Sequence, residues 1–434
     1  MHALPHQIAG ARFLADRKTA LLADAPRVGK TGAAIIAADY ILAQRTLVIT
    51  TASGRPVWRR GFADWSLFRQ RAAVAEGTLT KEHMTADRLI VGWPALSKFA
   101  DQLAAEQWDL VIVDESHYAK NPEAKRTEAL YGGLTERAER VWCLTGTPIP
   151  NAPNDLWAMM RALCPERLTA AHGPDDVTRY DDFVARYCIT KPKRLSRWNT
   201  ITVVIGGKNL DELRQRLDGF WLRRTQQDVG ITGPIYEILP ITLSRAQQRK
   251  IEAEVDGAED ILAAAETGET RGLDVELGTL RRITGTIKAD GVIAAVRDEF
   301  DCGLDKVVIM AWHKDVMDRI AAGLSQFGVV RVDGSTTADK RQKAQDTFQH
   351  GEARVFVGQI IACGEAIDLS ASSELIFAES SFVPKDMTQA ALRITNHGQT
   401  RQPRVRVAAL EGSIDEALQT VLTRKIATNK EVLK

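Results

Sequence analysis

The chain carries almost no net charge. Its 57 lysines and arginines are offset by 56 aspartates and glutamates, which leaves a formal charge of +1 over 434 residues. Proteins that bind nucleic acid through bulk charge are far more basic, so bulk charge gives no support for such a partner. Any contact with nucleic acid must come from local clusters of lysine and arginine.

Cysteine is scarce and scattered. The five cysteines form no CxxC pair, and no histidine accompanies them at the spacing of a zinc site. This pattern predicts free thiols in a reducing compartment, with neither zinc nor a disulfide framework. A signal peptide and an apolar run of membrane-spanning length are also missing, so we expect a cytoplasmic protein without a membrane partner.

The first segment with recognisable chemistry is DAPRVGKTGAAIIAADY at residues 24–40. The run TALLAD at residues 19–24 is typical of a short buried strand, and the alanine-rich and isoleucine-rich run that follows is typical of a helix. Gly29, Lys30 and Thr31 therefore fall at a strand-to-helix turn. Helix N–H groups bind phosphate at such a turn, a lysine neutralises its oxygens, and a threonine hydroxyl coordinates Mg²⁺.

The strict phosphate-loop pattern is not met in this segment. Its first glycine would fall at Asp24, and Pro26 and Arg27 stand where small residues are usual. A GKT triplet alone is more often a chance match, but the strand before it and the helix after it favour the phosphate site. Two roles stay open for Arg27, a contact to the nucleotide and a cap on the loop.

A second segment, WDLVIVDESH at residues 108–117, supplies acidic groups. The apolar run at residues 110–113 predicts a buried parallel strand that ends at Asp114 and Glu115, at the edge of the sheet where ligands bind. Asp114 can then hold Mg²⁺ through water, and Glu115 can orient and deprotonate an attacking water. The alternative is an acidic helix N-cap after a core strand, and the presence of Lys30 favours catalysis.

Taken together, these residues resemble the Swi/Snf-type ATPases of helicase superfamily two. The resemblance is strongest to the compact branch that contains the annealing helicases and small bacterial or phage versions, and it covers nearly the whole chain. The similar segments, in chain order, are LPHQIAGARFLADRKTALLADAPRVGKT, LVITTASGRPVWRRGFADW, RLIVGWPAL, DESH, LTGTPIPN, FWLRRTQQDV, KVVIMAWHKDVMDRI, VDGSTTADKRQKAQDTFQ, IIACGEAIDLSASSELIFAE and QAALRITNHGQT.

The resemblance implies an α/β fold of two RecA-like parallel-sheet lobes with a nucleotide cleft between them, and ATP and Mg²⁺ as ligands. It also implies a set of functional residues. These are Gln7, Gly29, Lys30, Thr31 and Gly364 for ATP; Thr31 and Asp114 for Mg²⁺; Lys30, Asp114, Glu115 and Arg393 for catalysis; Ser53, Arg55, Trp58, Arg59 and Arg60 for nucleic acid; and His117, Thr145 and Thr147 for coupling between the two sites.

The segment at residues 389–400 departs from the family pattern. Family members carry two arginines three positions apart there, whereas this chain has Arg393 and Asn396. An arginine that meets the γ-phosphate contributes several orders of magnitude in rate, so the loss of one cation predicts slow hydrolysis or reliance on Arg393 alone. A neighbouring basic residue such as Arg401 could instead fill the position.

Apart from FWLRRTQQDV at residues 220–229, the similar segments fall into two clusters, before about residue 151 and from residue 306 onwards, which predicts two domains. We place the boundary near Gly233 and Pro234, because these residues interrupt the chain before a predicted strand, IYEILPITLS. The predicted domains are residues 1–232 and 233–434. Residues 245–300 have a helical pattern.

Four local clusters could contact phosphates: RPVWRR, KPKRLSR, LRR and RQPRVR. Phosphate contacts position a protein without reading sequence. Such a cluster is more often a solvated face than a contact, but the resemblance favours contact for the first, at residues 55–60.

We expect a monomeric DNA-dependent ATPase that moves on double-stranded or forked DNA, independent of sequence and without necessarily unwinding it. The expected setting is the nucleoid of a bacterium or a phage-infected cell, with a protein partner supplying targeting. Two alternatives remain: a weakly hydrolysing, nucleotide-dependent DNA clamp or recruitment module, and the motor subunit of a larger restriction, recombination or viral machine.

Overall fold

The chain divides into two compact units, Met1–Val229 and Gly230–Lys434. The sequence places the boundary between residues 232 and 233. The structure is a computed structural model. It describes residues 3–52, 54–75, 77–146, 148–149, 152–196, 199–247, 249, 274–364, 367–381 and 383–432.

A seven-stranded parallel sheet forms the centre of the first unit. Its strand order is β3-β4-β2-β5-β6-β1-β9. All of its strand pairs are parallel. The strands are β1 (Thr19–Leu22), β2 (Thr46–Thr50), β3 (Ala72–Ala75), β4 (Arg88–Gly92), β5 (Trp108–Asp114), β6 (Ala138–Leu144) and β9 (Trp221–Leu222).

Side chains of this sheet are buried on both faces. In β5, Val111 and Val113 belong to one apolar cluster, and Leu110 and Ile112 belong to another on the opposite face. Parallel sheets need such cover because their crossover connections place helices over both faces. The covering α-helices are α1 (Pro5–Ala15), α2 (Lys30–Tyr40), α3 (Gly54–Trp65), α4 (Lys81–Met84), α5 (Trp93–Lys98), α6 (Ala100–Ala104), α7 (Lys125–Ala129), α8 (Trp157–Leu163), α9 (Tyr180–Tyr187) and α10 (Leu210–Leu217).

A six-stranded parallel sheet forms the centre of the second unit, with the order β10-β15-β14-β11-β13-β12. The strands are β10 (Ile235–Ile241), β11 (Val307–Ala311), β12 (Val329–Val332), β13 (Val355–Gln359), β14 (Glu374–Phe377) and β15 (Arg404–Leu410). The α-helices are α11 (Asp274–Asp301), α12 (Lys314–Gly323), α13 (Ala338–His350), α14 (Ile360–Cys363), α15 (Pro384–Ala391) and α16 (Ile414–Val432). No helix in the described part of the chain is long and apolar enough to cross a membrane.

Besides its seven-stranded sheet, the first unit contains a two-stranded sheet. Strand β7 (Cys188–Ser196) pairs antiparallel with β8 (Asn199–Gly207). The basic stretch KPKR of the sequence lies on β7.

The fold class is confirmed, since both units are α/β with parallel sheets. The predicted buried strand at residues 110–113 is the centre of β5, between β2 and β6. Strand β1 ends at Leu22, two residues before Asp24, and α2 begins at Lys30. The helical prediction for residues 245–300 is confirmed for Asp274 onwards, and its part at residues 250–273 lies outside the described residues.

Candidate active site

The loop between β1 and α2 holds the predicted phosphate-binding residues. Gly29 is the N-cap of α2 and has φ 94°, a left-handed conformation that glycine adopts at little cost. Lys30 is the first residue of the helix, and its Nζ donates hydrogen bonds to the carbonyl oxygens of Asp24 at 2.8 Å and Ala25 at 3.3 Å. The ammonium group therefore lies over the loop and beside the N–H groups that open α2.

Gln7, the predicted adenine contact, lies against this same loop. It is buried on α1, and its Oε1 accepts a hydrogen bond from the Leu4 N–H at 2.9 Å. A β-carbon added at Gly29 would be 2.4 Å from Gln7 Nε2, and one added at Gly32 would be 3.2 Å from it. The two glycines thus make room for the Gln7 amide, which joins α1 to the phosphate loop.

An ion pair explains why aspartate stands at the first-glycine position of the loop. Asp24 is almost fully buried, and both of its carboxylate oxygens accept hydrogen bonds from Arg224, at 3.0 Å from Nε and 2.5 Å from Nη2. Two further bonds tie the same segment to the loop, from Ala25 N–H to the Arg224 carbonyl at 2.8 Å and from Gln226 Nε2 to the Pro26 carbonyl at 3.0 Å. A bidentate arginine–carboxylate pair fixes both distance and orientation.

Arg224 belongs to the basic cluster LRR and to the similar segment FWLRRTQQDV, but neither pattern predicts its pairing with Asp24. The available signal was a charged residue at Asp24, in a loop that follows a buried strand. A buried carboxylate needs a partner. The sequence could not say which of the many arginines provides it.

Arg27 has φ 71°, which is uncommon for a residue with a side chain. The left-handed conformation costs roughly 1–2 kcal/mol for such a residue.

Gly146, in the loop after β6, lies close to Pro26 of the phosphate loop. A β-carbon added at Gly146 would be 2.9 Å from the ring of Pro26. The loop after β6 therefore packs directly on the phosphate loop.

The acidic pair follows β5, as predicted. Asp114 Oδ2 accepts hydrogen bonds from Thr50 Oγ1 at 2.7 Å and from Trp58 Nε1 at 2.8 Å, and its Oδ1 accepts one from the Glu115 N–H at 3.1 Å. Burial and the neighbouring Glu115 carboxylate raise the pKa of Asp114 to about 6. The hydrogen bonds from Trp58 and Thr50 and the charge of Lys30 act in the opposite direction.

The prediction that Trp58 contacts nucleic acid is wrong. Its side chain is fully buried, and its indole N–H is directed at Asp114. The buried residues of α3 are Gly54, Trp58, Gly61 and Phe62, a spacing that forms one stripe of a helix facing the core. This spacing is visible in the sequence and indicates burial, whereas the family resemblance implies a nucleic-acid contact for Trp58.

The other predicted nucleic-acid contacts remain near the surface. Arg59 and Arg60 are exposed on α3, and Arg55 is partly exposed with its Nε 3.5 Å from the Ala52 carbonyl. Ser53 lies outside the described residues. The helix therefore presents arginine on one side and supports Asp114 from the other.

Glu115, His117 and Thr145 come together beside Asp114. Glu115 Oε2 accepts a hydrogen bond from Thr145 Oγ1 at 3.4 Å and lies 3.2 Å from His117 Nδ1, and His117 Nδ1 is 3.0 Å from Thr145 Oγ1. Glu115 has φ 51° and precedes the 3₁₀ helix Ser116–Ala119, but its side chain makes no capping hydrogen bond. The N-cap alternative is therefore not the role of this carboxylate. Thr147 lies outside the described residues.

In the second unit, the two predicted residues Arg393 and Gly364 are in contact, because Arg393 Nη2 donates to the Gly364 carbonyl. Asn396 has a different partner. Its Nδ2 donates to Ser370 Oγ at 2.5 Å, while its Oδ1 is buried and has no hydrogen-bond partner among the described residues. Asn396 thus joins its own segment to the loop before β14. Arg401, the alternative cation, is exposed.

Two family models match the chain. One, the SNF2-related domain, matches residues 6–283, which is more than half of the chain. The chain belongs to the SNF2-related family. The other model, the helicase conserved C-terminal domain, matches residues 296–398 and includes Gly364, Arg393 and Asn396.

The matches to relatives in this family cover most of this chain. SWI/SNF-related matrix-associated actin-dependent regulator of chromatin subfamily A-like protein 1 of Xenopus tropicalis is 29% identical over 98% of this chain and 44% of its own length. The DNA annealing helicase and endonuclease ZRANB3 of Homo sapiens is 25% identical over 97% of this chain and 39% of its own length. The chain thus spans less than half the length of either relative.

Among solved structures, the chain is similar to the SWI2/SNF2 ATPase core of Sulfolobus solfataricus in complex with dsDNA. The two are 21% identical, with a TM-score of 0.46, and the match covers 100% of this chain and 93% of the other.

Proposed function

We propose that this chain hydrolyses ATP and uses the energy to move along double-stranded or forked DNA, without needing to separate the strands. The observation that carries the proposal is the convergence of Lys30 with Asp114 and Glu115 at one edge of the first sheet. Strands β1 and β5 lie on either side of β6, and Leu22 and Asp114 both pair with Leu144, so the loop that leads to Lys30 and the acidic pair leave the sheet at the same edge. The charge of Lys30 also opposes the rise in the pKa of Asp114. A cation and a carboxylate pair at the carboxyl ends of parallel strands is the arrangement that phosphoryl transfer requires.

Lys30 and the N–H groups at the start of α2 bind the phosphates in this proposal. The ammonium now bonds to the loop carbonyls of Asp24 and Ala25, and phosphate oxygens are stronger acceptors at the same place. Gln7 lies against the loop, next to Gly29, and remains the proposed adenine contact.

The residues present fit a magnesium ion. Asp114 uses Oδ2 for two side-chain donors, whereas the donor to Oδ1 within the described part of the chain is a backbone N–H, so Oδ1 retains a lone pair for a hydrated cation. Thr31 Oγ1 and Asp114 would hold the ion, both with the hard oxygen ligands that Mg²⁺ prefers. When bound, the ion supplies positive charge to the phosphate oxygens.

Glu115 orients and deprotonates the attacking water. Its Oε2 is held by Thr145, which fixes the direction of the carboxylate, and His117 lies against both residues. We propose that this trio relays the state of the nucleotide to the loop after β6. Arg393 remains the proposed second-unit cation for the γ-phosphate.

The proposed DNA contact of the first unit is the arginine face of α3, with Arg55, Arg59 and Arg60. One of the relatives is named a DNA annealing helicase, and the similar solved structure is a complex with dsDNA. Duplex DNA is therefore the first substrate to test. Phosphate contacts by arginine make binding independent of sequence.

The experiment compares steady-state ATP hydrolysis with no DNA and with single-stranded, double-stranded and forked DNA. We expect the largest stimulation with double-stranded or forked DNA. Hydrolysis that no DNA accelerates would overturn the proposal.

Asn396 favours a second candidate function. Its side chain is neutral and engaged with Ser370, so one of the two cations usual in this segment is missing. A weakly hydrolysing DNA clamp needs ATP binding but little turnover. Tight ATP binding, with DNA affinity that depends on ATP and negligible phosphate release, would favour the clamp. Co-purification of a nuclease would instead favour the motor subunit of a larger machine.

A further inference from the structure

The β7–β8 hairpin lies outside both parallel sheets. Within the described residues, its two strands pair only with each other. The register runs from Cys188 opposite Gly207 to Ser196 opposite Asn199. The element is therefore a two-stranded ribbon attached to the first unit at one end.

The attached end of the ribbon is fixed. Cys188 is buried, the Lys208 N–H donates to the Tyr187 carbonyl at 2.9 Å, and the Tyr187 hydroxyl donates to Glu212 at 2.7 Å. A β-carbon at Gly207 would be 2.8 Å from the Pro153 ring, so the backbone approaches closely there. Because the base is held by packing and hydrogen bonds, the ribbon has a defined position on its unit.

The ribbon carries positive charge without any negative charge. Residues 188–207 contain Lys191, Lys193, Arg194 and Arg197 and no aspartate or glutamate, in a chain whose charges otherwise balance. Lys191 is exposed on β7. The nearby carboxylate of Glu212 is paired with Arg186 at the base. The ribbon therefore has an unbalanced positive charge that a polyanion complements.

Aliphatic side chains share this exposed surface. Ile189, Ile201 and Ile205 are 45%, 38% and 54% exposed. Single exposed isoleucines are common, but this one short ribbon exposes three. Apolar contacts of this kind suit thymine methyl groups and sugars in a nucleic-acid groove.

We propose that the β7–β8 hairpin binds duplex DNA, with its positive charge at the phosphates and its isoleucines in the major groove. The groove, about 12 Å wide, admits a two-stranded β-ribbon. The choice of duplex DNA as the occupant rests on the proposed function. The hairpin is then a DNA contact separate from α3, and it does not depend on ATP.

The test measures binding of the full chain to a short fluorescein-labelled duplex by anisotropy, without nucleotide, over a series of salt concentrations. The variant is Lys191→Ala with Lys193→Ala. We expect roughly tenfold weaker binding and a salt slope smaller by about two, since each lost phosphate contact removes about 0.9 from the slope. Lys191→Arg with Lys193→Arg should retain wild-type affinity and slope.

The matched control is Lys18→Ala with Lys81→Ala, which removes two exposed lysines elsewhere in the first unit. It should bind like the wild type. Thermal unfolding of each variant checks folding, and Lys191→Gln with Lys193→Gln replaces the alanine pair if that pair unfolds. Wild-type affinity and slope in the folded hairpin variant would overturn the proposal, as would a loss confined to single-stranded DNA.

ATP hydrolysis separates this inference from the proposed function. At saturating duplex the hairpin variant should turn over like the wild type, with a higher duplex concentration for half-maximal rate. If duplex stimulates both proteins at the same concentration, the hairpin proposal fails and the ATPase proposal stands. If duplex binds through the hairpin but stimulates neither protein, the ATPase proposal fails and the hairpin proposal stands.

Discussion

The indole Nε1 of Trp58 donates a hydrogen bond to Asp114 Oδ2 at a distance of 2.8 Å. Thr50 Oγ1 donates to the same oxygen at 2.7 Å. Both donors stabilise the ionised carboxylate against the effect of burial. Trp58 is therefore a positioning residue for the proposed magnesium ligand.

Replacing Trp58 with phenylalanine keeps an aromatic ring and removes the N–H. We expect the pKa of Asp114 to rise further above 6, because a donor to its charged form is lost. The acid limb of the kcat/KM profile for ATP should move to higher pH by roughly one unit, and more Mg²⁺ should be needed for half-maximal rate. A pH series at several Mg²⁺ concentrations measures both effects.

Trp108→Phe is the matched control. The Trp108 indole donates to the Leu103 carbonyl at 2.9 Å, at the opposite end of β5 from Asp114. This variant should lose a comparable amount of stability without moving the pH profile. Equal profiles for both variants would show that Trp58 acts only through packing.

Asp114→Asn should stabilise the protein at pH 8. The folded-state pKa of Asp114 is raised to about 6, above its ordinary value of about 3.9, so the ionised carboxylate costs free energy of folding above pH 6. The cost falls as pH decreases from about 6 to about 4 and disappears below that range, where the carboxylate is protonated in both the folded and the unfolded state. We expect a gain of about 1–3 kcal/mol at pH 8 that shrinks below pH 6, measured by denaturant unfolding, together with loss of ATP turnover. A gain that does not change with pH would contradict this account.

Lys30→Ala and Glu115→Gln should separate binding from catalysis. Both variants should lose turnover, by about 10²-fold or more, because one loses the phosphate cation and the other the group that deprotonates water. Only Glu115→Gln should retain ATP affinity, which calorimetry measures. Lys18→Ala, on the exposed surface, is the control for lysine removal. Turnover that survives in either active-site variant contradicts the assigned roles.

Asn396→Arg should accelerate hydrolysis if a cation is missing from this segment. The new side chain would give up the bond to Ser370 Oγ and restore the second arginine of the family pattern. Asn396→Ala, which also removes that bond, controls for its loss and should not be faster than the wild type. An unchanged rate in the arginine variant would mean that another residue, such as Arg401, already fills the position.

Arg224→Lys should weaken the phosphate loop. Lysine keeps the charge but cannot make the bidentate contact with buried Asp24, so we expect a loss of roughly 1–3 kcal/mol in unfolding free energy and a higher KM for ATP. Arg214→Lys, in an exposed pair with Asp211, should change little. Similar losses of unfolding free energy in the two variants would show that the pair between Arg224 and Asp24 contributes no more than an exposed ion pair.

Much of the fold and part of the candidate site could be predicted from the sequence. The segments around Lys30 and Asp114 carry their own signals, since a buried strand followed by polar residues marks the ligand edge of a parallel sheet. Strand β1, helix α2 and strand β5 appeared where these signals placed them. The local sequence pattern was sufficient to place Lys30 and Asp114, because Lys30 begins helix α2 and Asp114 ends strand β5.

The errors and omissions concern partners distant in the chain. Arg224 lies 200 positions from Asp24, and nothing in either segment specifies the pairing. The family resemblance implies a nucleic-acid contact for Trp58, although its helical spacing indicates burial. The hydrogen bond between Asn396 and Ser370 gives the asparagine a structural role. The sequence shows only that an arginine is missing at this position. Such contacts depend on how elements pack, and single-sequence patterns do not encode that.

The close approach of Gln7 to Gly29 and Gly32 restricts how this site can diverge. A side chain at residue 29 would overlap the Gln7 amide, and one at residue 32 would press on both that amide and the indole of Trp65. A smaller residue 7 would relieve the overlap at residue 29, but the positive φ of that residue would still favour glycine, and residue 32 would still contact Trp65. Descendants of this chain should therefore keep both glycines even where residue 7 changes.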